Sequence, residues 1–267
     1  MGAAPLSNLS LSIPSKSLSG KTALITGASS GLGAQFARLL AGQGATVICA
    51  ARRLDRLTDL VTDIVAHGGK AHAVDMDVSD EASVIAGFDT AERVSGPPSI
   101  VLANAGLNTP GLAVDIDMAD YDEVMNVNLR GVFVTAREGA RRMIASGSQS
   151  SQAGRIVLIA SMAGLRPLPG VTPYSVSKAG VVMMAKSLAR EWANKGINVN
   201  AICPGYIETE INADWLAQPG GEKMIAGVPR RRVMAKDALD GAVTWLVSDA
   251  AKFTTGAIVQ IDDAQGI

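Results

Sequence analysis

Tyr174 and Lys178 set a phenol and an ammonium four residues apart in the run Tyr174-Ser175-Val176-Ser177-Lys178. On a helix both project from one face, one turn apart. A free tyrosine, with a pKa of roughly 10, is a poor proton donor or acceptor at neutral pH. A neighbouring lysine charge favours the phenolate and draws that pKa toward the working range, so the pair can do general acid-base chemistry. The same spacing also occurs on ordinary half-exposed helices, so its meaning depends on what accompanies it.

Two other groups of residues could hold a nucleotide. Thr26-Gly27-Ala28-Ser29-Ser30-Gly31-Leu32-Gly33 follows an apolar run and opens a helical pattern. Gly27, Gly31 and Gly33 allow a tight turn and close approach to a pyrophosphate, while a helix N-terminus supplies donors and the positive end of its dipole. The spacing is GxxxGxG rather than GxGxxG. The second group is Arg52 and Arg53, in Ala50-Ala51-Arg52-Arg53, with no acid before Asp55. An acid at the end of the second strand would bond the ribose hydroxyls of NAD, whereas arginine accommodates a 2′-phosphate. The residues predict NADP(H) rather than NAD(H), with Arg52 the leading phosphate ligand and Arg53 second. The alternative is that the arginines only start an exposed helix.

Regular elements must carry these groups, and the apolar pattern supplies them. Continuous apolar runs at 22–26, 46–51, 70–76, 99–103, 155–160, 198–203 and 257–261 read as strands buried on both faces. Helical patterns near 31–43, 53–67, 80–94, 118–145, 173–195 and 236–248 alternate with them. The alternation predicts an α/β fold, a single doubly wound parallel sheet of seven strands with helices on both faces. Residues 1–18, rich in Ser, Leu and Pro, read as a flexible arm whose Leu6, Leu9, Leu11 and Ile13 could dock on a neighbour; residues 19–267 form one domain. Residues 146–153 read as a flexible surface loop, and the long insertion at 206–230, with Trp215 and Pro219-Gly220-Gly221, as a lid over substrate.

Composition narrows the function classes. The 267 residues are 48% hydrophobic and 18% charged, with a formal net charge of -1. Nothing in that balance calls for a nucleic-acid or membrane partner. Cys49 and Cys203 each sit in an apolar run, which suits inert thiols. His67 and His72 flank a Gly-Gly turn without a partner at ligand spacing, so no metal site is expected. The first residues lack a basic segment followed by a long apolar one, and a cytoplasmic location is expected.

From about Lys21 to Ile261 the chain resembles the short-chain dehydrogenase/reductase family, whose fold is Rossmann-like. The resemblance is carried in order by Gly27/Gly31/Gly33, Asn104-Ala105-Gly106, Asn128 within Asn126-Val127-Asn128-Leu129, Ser161, Tyr174/Lys178, and Pro204-Gly205 leading to Thr209. It implies that Tyr174 is the acid-base, Ser161 bonds the reacting oxygen, Lys178 lowers the Tyr174 pKa and holds the nicotinamide ribose, and Asn128 supports a water next to Lys178. It implies cofactor contacts at Gly27, Ser29, Ser30, Gly31, Leu32, Gly33, Arg52, Arg53, Asp77, Val78, Asn104, Ala105, Gly106, Tyr174, Lys178, Pro204, Gly205, Ile207 and Thr209. The chain departs from the family pattern in having a single asparagine at 103–106, no basic residue at Ser30, and Asp262-Asp263-Ala264 in place of Asp-Gly-Gly.

Met162, Leu165, Leu168, Pro169, Gly170 and Val171, with Trp215, Leu216 and Met224 of the insertion, suggest an apolar pocket for small hydrophobic ketones or aldehydes, or secondary alcohols in reverse. Three alternatives stay open: a 3-oxoacyl-carrier-protein reductase docking its partner on Arg137, Arg141 and Arg142; an NAD-dependent secondary alcohol dehydrogenase; and a non-catalytic cofactor-binding protein. The resemblance also implies a homotetramer or homodimer built on the helices near 118–145 and 173–195, with Phe133, Met143, Met183, Met184 and Trp192 as apolar candidates for the interface.

Overall fold

Wherever small and β-branched apolar residues run without interruption, the chain forms a strand. The computed structural model describes residues 17–210 and 212–267. Its strands are β1 (Thr22–Thr26), β2 (Thr46–Ala51), β3 (Lys70–Asp75), β4 (Ile100–Ala103), β5 (Gly154–Ile159), β6 (Ile197–Pro204) and β7 (Ile258–Ile261). They form one sheet in the order β3-β2-β1-β4-β5-β6-β7, and every neighbouring pair is parallel. The central strands β1, β4 and β5 are buried at every residue, as strands covered on both faces must be. Strand order reverses between β1 and β4, so a crevice opens at their carboxyl ends.

The helices are α1 (Gly31–Gly42), α2 (Leu54–Ala66), α3 (Glu81–Ser95), α4 (Met118–Met125), α5 (Val132–Ala145), α6 (Ser148–Ser151), α7 (Thr172–Trp192), α8 (Ala213–Leu216), α9 (Pro219–Gly227) and α10 (Asp240–Val247). Phe36 and Leu40 of α1, Leu57 of α2 and Leu246 of α10 pack one face of the sheet; Phe88 of α3, Met143 of α5 and Leu188 of α7 pack the other. Short polar residues start some of these helices: Asp80 accepts from Ala82 N–H and Asp117 from Ala119 N–H, meeting amides that the first turn leaves unpaired. Pro173 sits in the first turn of α7, where a missing N–H costs nothing.

Several expectations change. The helix expected over 118–145 is interrupted by a π-helical turn at Asn126–Gly131, between α4 and α5. The loop expected over 146–153 contains α6, because Ser148 is buried and its hydroxyl donates to Lys195 O at 2.6 Å. Residues 1–16 of the expected arm lie outside the described residues. Leu18 does not belong to an arm: it is fully buried, and its N–H donates to Gln43 O at 3.0 Å. Met143 faces the sheet core at 1% exposure, so it is not available to an interface, while Phe133 and Met183 are 39% and 60% exposed. The segment 206–230 folds as α8 and α9 rather than as an open loop.

Candidate active site

Ser161 follows the carboxyl end of β5, in extended backbone, and its hydroxyl accepts from Ala163 N–H at 3.1 Å. It therefore caps the following turn and, on its other side, hydrogen-bonds the Tyr174 phenol. The first turns of α7 carry Tyr174 and Lys178. Lys178 is buried, its Nζ donating to Ile159 O at 2.9 Å and lying 5.6 Å from the Tyr174 ring centroid. Burial pushes the ammonium down to about 8, and the same burial pushes the phenol up; the Ser161 hydrogen bond pulls the phenol back. The expected lowering of the Tyr174 pKa by Lys178 is thus opposed by desolvation, and one of the three lysine N–H groups is given to a carbonyl.

Asn128 lies in the π-helical turn, fully buried. Its Oδ1 accepts from Leu107 N–H at 2.8 Å, and its Nδ2 donates to Leu107 O at 2.8 Å and to Ser177 Oγ at 3.2 Å. The Ser177 hydroxyl in turn donates to Tyr174 O at 2.7 Å. Asn128 thus ties the strand-four turn to the helix that carries Tyr174. Helix interiors favour asparagine poorly, and π turns gather at functional sites.

The glycine-rich turn is held from the β4 side. Asn104 Nδ2 donates to Thr26 O at 2.9 Å, and the Thr26 hydroxyl accepts the N–H groups of Asn104 and Ala105 at 3.1 and 3.2 Å. Gly27 and Gly31 adopt φ of 67° and 53°, in the left-handed region that side chains disfavour. A cleft of about 450 Å³ opens beside this turn and runs to Tyr174. It is lined by every residue singled out for catalysis or cofactor contact except Gly33 and Asn128, which lie behind it and support it. A glycine-rich backbone turn at a helix N-terminus, flanked by arginines, is the donor set that a dinucleotide needs, and the residues present fit that group.

The two arginines point differently from their predicted rank. Arg52 reaches Asp77 at 3.8 Å and is largely exposed. Arg53 turns back over the glycine-rich turn, donating to Ser29 Oγ at 3.1 Å and Ser30 Oγ at 2.8 Å. Asp77 is held low as a carboxylate by Ser79, whose N–H and hydroxyl it accepts at 2.9 and 2.7 Å, with Arg52 adding to the effect against a burial that raises it.

Leu107, Glu210 and Asn212 also line the cleft, and sequence reasoning missed them. Asn212 accepts from Thr209 N–H at 2.8 Å and donates to Ile207 O at 3.0 Å, fixing the segment after β6. None of the residues expected to wall an apolar pocket lines this cleft: Met162 is buried, and Trp215 stacks on Tyr206 with ring centroids 5.9 Å apart. Burial raises the Tyr206 phenol and the nearby Arg166 lowers it. The C-terminal turn closes this end. Gln265 Oε1 accepts from Tyr206 N–H at 2.6 Å, Arg166 donates to Gln265 O at 2.6 Å, and Asp263 pairs with Arg232 at 2.8 Å. Asp263 and Ala264 take φ of 52° and 64° where a glycine pair would be unstrained.

The arginines considered as a carrier-protein docking patch are engaged within the chain. Arg142 pairs with Glu92, Asp89 and Glu138, each within 2.8 Å, while Arg137 bonds Glu81 and Arg141 reaches Glu138 at 3.4 Å. Among the described residues no group of His, Cys, Asp or Glu is placed to hold a metal ion, and no helix is long and apolar enough to cross a membrane.

Residues 21–220 match the family model described as short chain dehydrogenase. The chain is 33% identical over 255 residues to the gluconate 5-dehydrogenase of Gluconobacter oxydans, covering 92% of this chain and 94% of that one. It is 32% identical over 246 residues to a 3-oxoacyl-(acyl-carrier-protein) reductase of Aquifex aeolicus, covering 92% and 97%. A protein of Agrobacterium tumefaciens, provisionally named a 2-deoxy-D-gluconate 3-dehydrogenase and solved with bound NADP, superposes with a TM-score of 0.85 at 37% identity, covering 94% of this chain and 98% of that one.

Proposed function

The chain belongs to the short chain dehydrogenase family of oxidoreductases, and from that premise we propose that it is an NADP(H)-dependent reductase of small ketones or aldehydes that runs in reverse on secondary alcohols. The observation that carries this is one cleft lined by Ser161, Tyr174 and Lys178 at one end and the glycine-rich turn with Arg53 at the other. A bound nicotinamide supplies the hydride to the carbonyl carbon or takes it back from the alcohol. Tyr174 gives its proton to the carbonyl oxygen, and Ser161 holds that oxygen against the phenol. Lys178, charged below about pH 8, offsets the negative charge left on Tyr174. Asn128 acts one step back, holding the turn that carries Leu107 against α7.

The engaged arginines of α5 favour free small carbonyls over a carrier-bound acyl group. The exposed Phe133 and Met183 border a shallow groove with Met125, Leu129 and Met184, which supports pairing of two copies across α4, α5 and α7, as a homodimer or within a homotetramer. The segment 206–230 acts as a lid over substrate, and the expected location is the cytoplasm. The test is initial rate on a panel of ketones and aldehydes with NADPH and NADH in parallel, for wild type and Tyr174→Phe. Turnover with NADPH that collapses at least a hundredfold in the variant is expected. Turnover that survives in Tyr174→Phe removes the acid-base assignment; turnover with NADH alone removes the NADP(H) assignment.

A further inference from the structure

Arg53 has a third partner, from far along the chain. Its Nη1 donates to Glu210 Oε2 at 3.0 Å, and Arg56 bonds the other carboxylate oxygen, Oε1. Ser30, which already accepts from Arg53, also bonds this carboxylate. Glu210 follows Thr209 in the segment after β6, and like both arginines it is about half exposed. Two guanidiniums and a hydroxyl converging on one small anion form the donor set that recognises a phosphate monoester. A single exposed ion pair would mean little, but a converging set holds its anion in one place. Glu210, Arg53 and Ser30 line the cleft beside the glycine-rich turn, on the wall where the ribose 2′ position is expected, and Arg56 adjoins them through Glu210.

We propose that Glu210 is a specificity-determining residue whose carboxylate is the chain's own stand-in for the 2′-phosphate of NADP(H), competing with it for Arg53, Arg56 and Ser30. The proposal rests on the reading of the cleft as a dinucleotide site. A 2′-phosphate brings up to two negative charges and three acceptor oxygens to donors that the carboxylate satisfies with one charge and two oxygens, so it displaces Glu210. A ribose without the phosphate leaves Glu210 in place, and the arginines stay neutralised. Glu210 therefore compresses the preference for NADP(H) over NAD(H), and Arg56 is a phosphate ligand that becomes available only when Glu210 leaves.

The test is calorimetric titration of the full chain with adenosine 2′,5′-bisphosphate and with 5′-AMP, for wild type, Glu210→Gln, Glu210→Ala, Arg53→Ala and Arg56→Ala, with circular dichroism as the folding check. Both Glu210 variants should bind the bisphosphate about two- to fivefold more tightly than wild type, the gain expected from removing one competing exposed charge, with 5′-AMP unchanged. Arg56→Ala should weaken the bisphosphate alone. Wild type that prefers the bisphosphate, loses that preference in Arg53→Ala, yet is indifferent to both Glu210 variants would overturn the role of Glu210 and leave the NADP(H) reading standing. Weaker 5′-AMP binding in the Glu210 variants would also overturn it, by making Glu210 a ribose ligand. Absence of any bisphosphate preference in all five proteins would overturn both readings.

Discussion

Replacing Asn128 with alanine removes both hydrogen bonds that the side chain makes to Leu107 and the one it makes to Ser177. Ser177 keeps its bond to Tyr174 O, so it is not orphaned. Leu107 is different: its N–H and its C=O both pair with the same side chain, and a buried backbone group left unpaired costs about 1–3 kcal/mol. Leu107 borders the cleft, so water can reach part of the exposed pair. A loss of about 2–4 kcal/mol is therefore expected, at the upper end for a single substitution. Urea unfolding at fixed protein concentration measures it, since association would otherwise shift the midpoint. A cycle with Ser177→Ala locates the loss: if it runs through Leu107, the coupling between the two sites stays below about 1 kcal/mol. A cost for Asn128→Ala below about 1 kcal/mol, or a coupling equal to the whole effect, would refute the account of Asn128 as the clasp between the strand-four turn and α7.

Gly164→Ala should be among the most damaging single-methyl additions, because its Cβ would stand 2.6 Å from Lys178 C and 2.7 Å from Lys178 O, both backbone atoms that cannot swing aside. Loss of turnover together with destabilisation of about 2 kcal/mol or more is expected, and a variant with wild-type melting would contradict the packing described. Ala264→Gly should instead stabilise, by about 0.5–1 kcal/mol, since relief of left-handed strain exceeds the added freedom of the unfolded chain; thermal melting reads the sign. Lys178, held down to about 8 in the folded chain, binds its proton more tightly when unfolded, so stability rises with pH from about 8 to 10.5. Cys49 and Cys203, pushed up to about 12 and 11, oppose this above their ordinary value of 9.0, because only the unfolded chain then loses their protons. Subtracting the profile of Lys178→Met cancels the Cys49 thiol, leaves only the coupling of Cys203 to the lysine, and should show a rise on the order of 3 kcal/mol across the window; a flat difference would place the lysine charge in water.

Much of this was readable from pattern. The strands announce themselves because burial on both faces demands unbroken apolar runs, and β1 and β2 begin and end where those runs do. Most of the cleft residues were readable because each sits at a strand end, in a glycine turn, or, for Tyr174 and Lys178, one helical turn apart, where the pattern is local. The sequence gives no sign of the long-range pairs. Glu210 lies 157 positions from Arg53, so nothing in either neighbourhood announces that they meet. The π-helical turn is likewise silent, since its apolar spacing passes for an ordinary helix until the Asn128–Leu107 bonds are seen. The burial of Tyr174 and Lys178 is silent for a related reason: spacing reports that a lysine is near, whereas the pKa of each group also depends on how much water it has lost.

The C-terminal turn has a consequence for how the gene tolerates damage. Gln265 is 3% exposed and holds both the Tyr206 amide and Arg166 from beyond the last described strand. A nonsense codon at position 265 would spare every strand and helix of the described residues and yet release the Tyr206 amide and the Arg166 side chain near Tyr174. Such a truncation should accumulate as a folded protein with impaired turnover, and it would be overlooked by any screen that scores expression level alone.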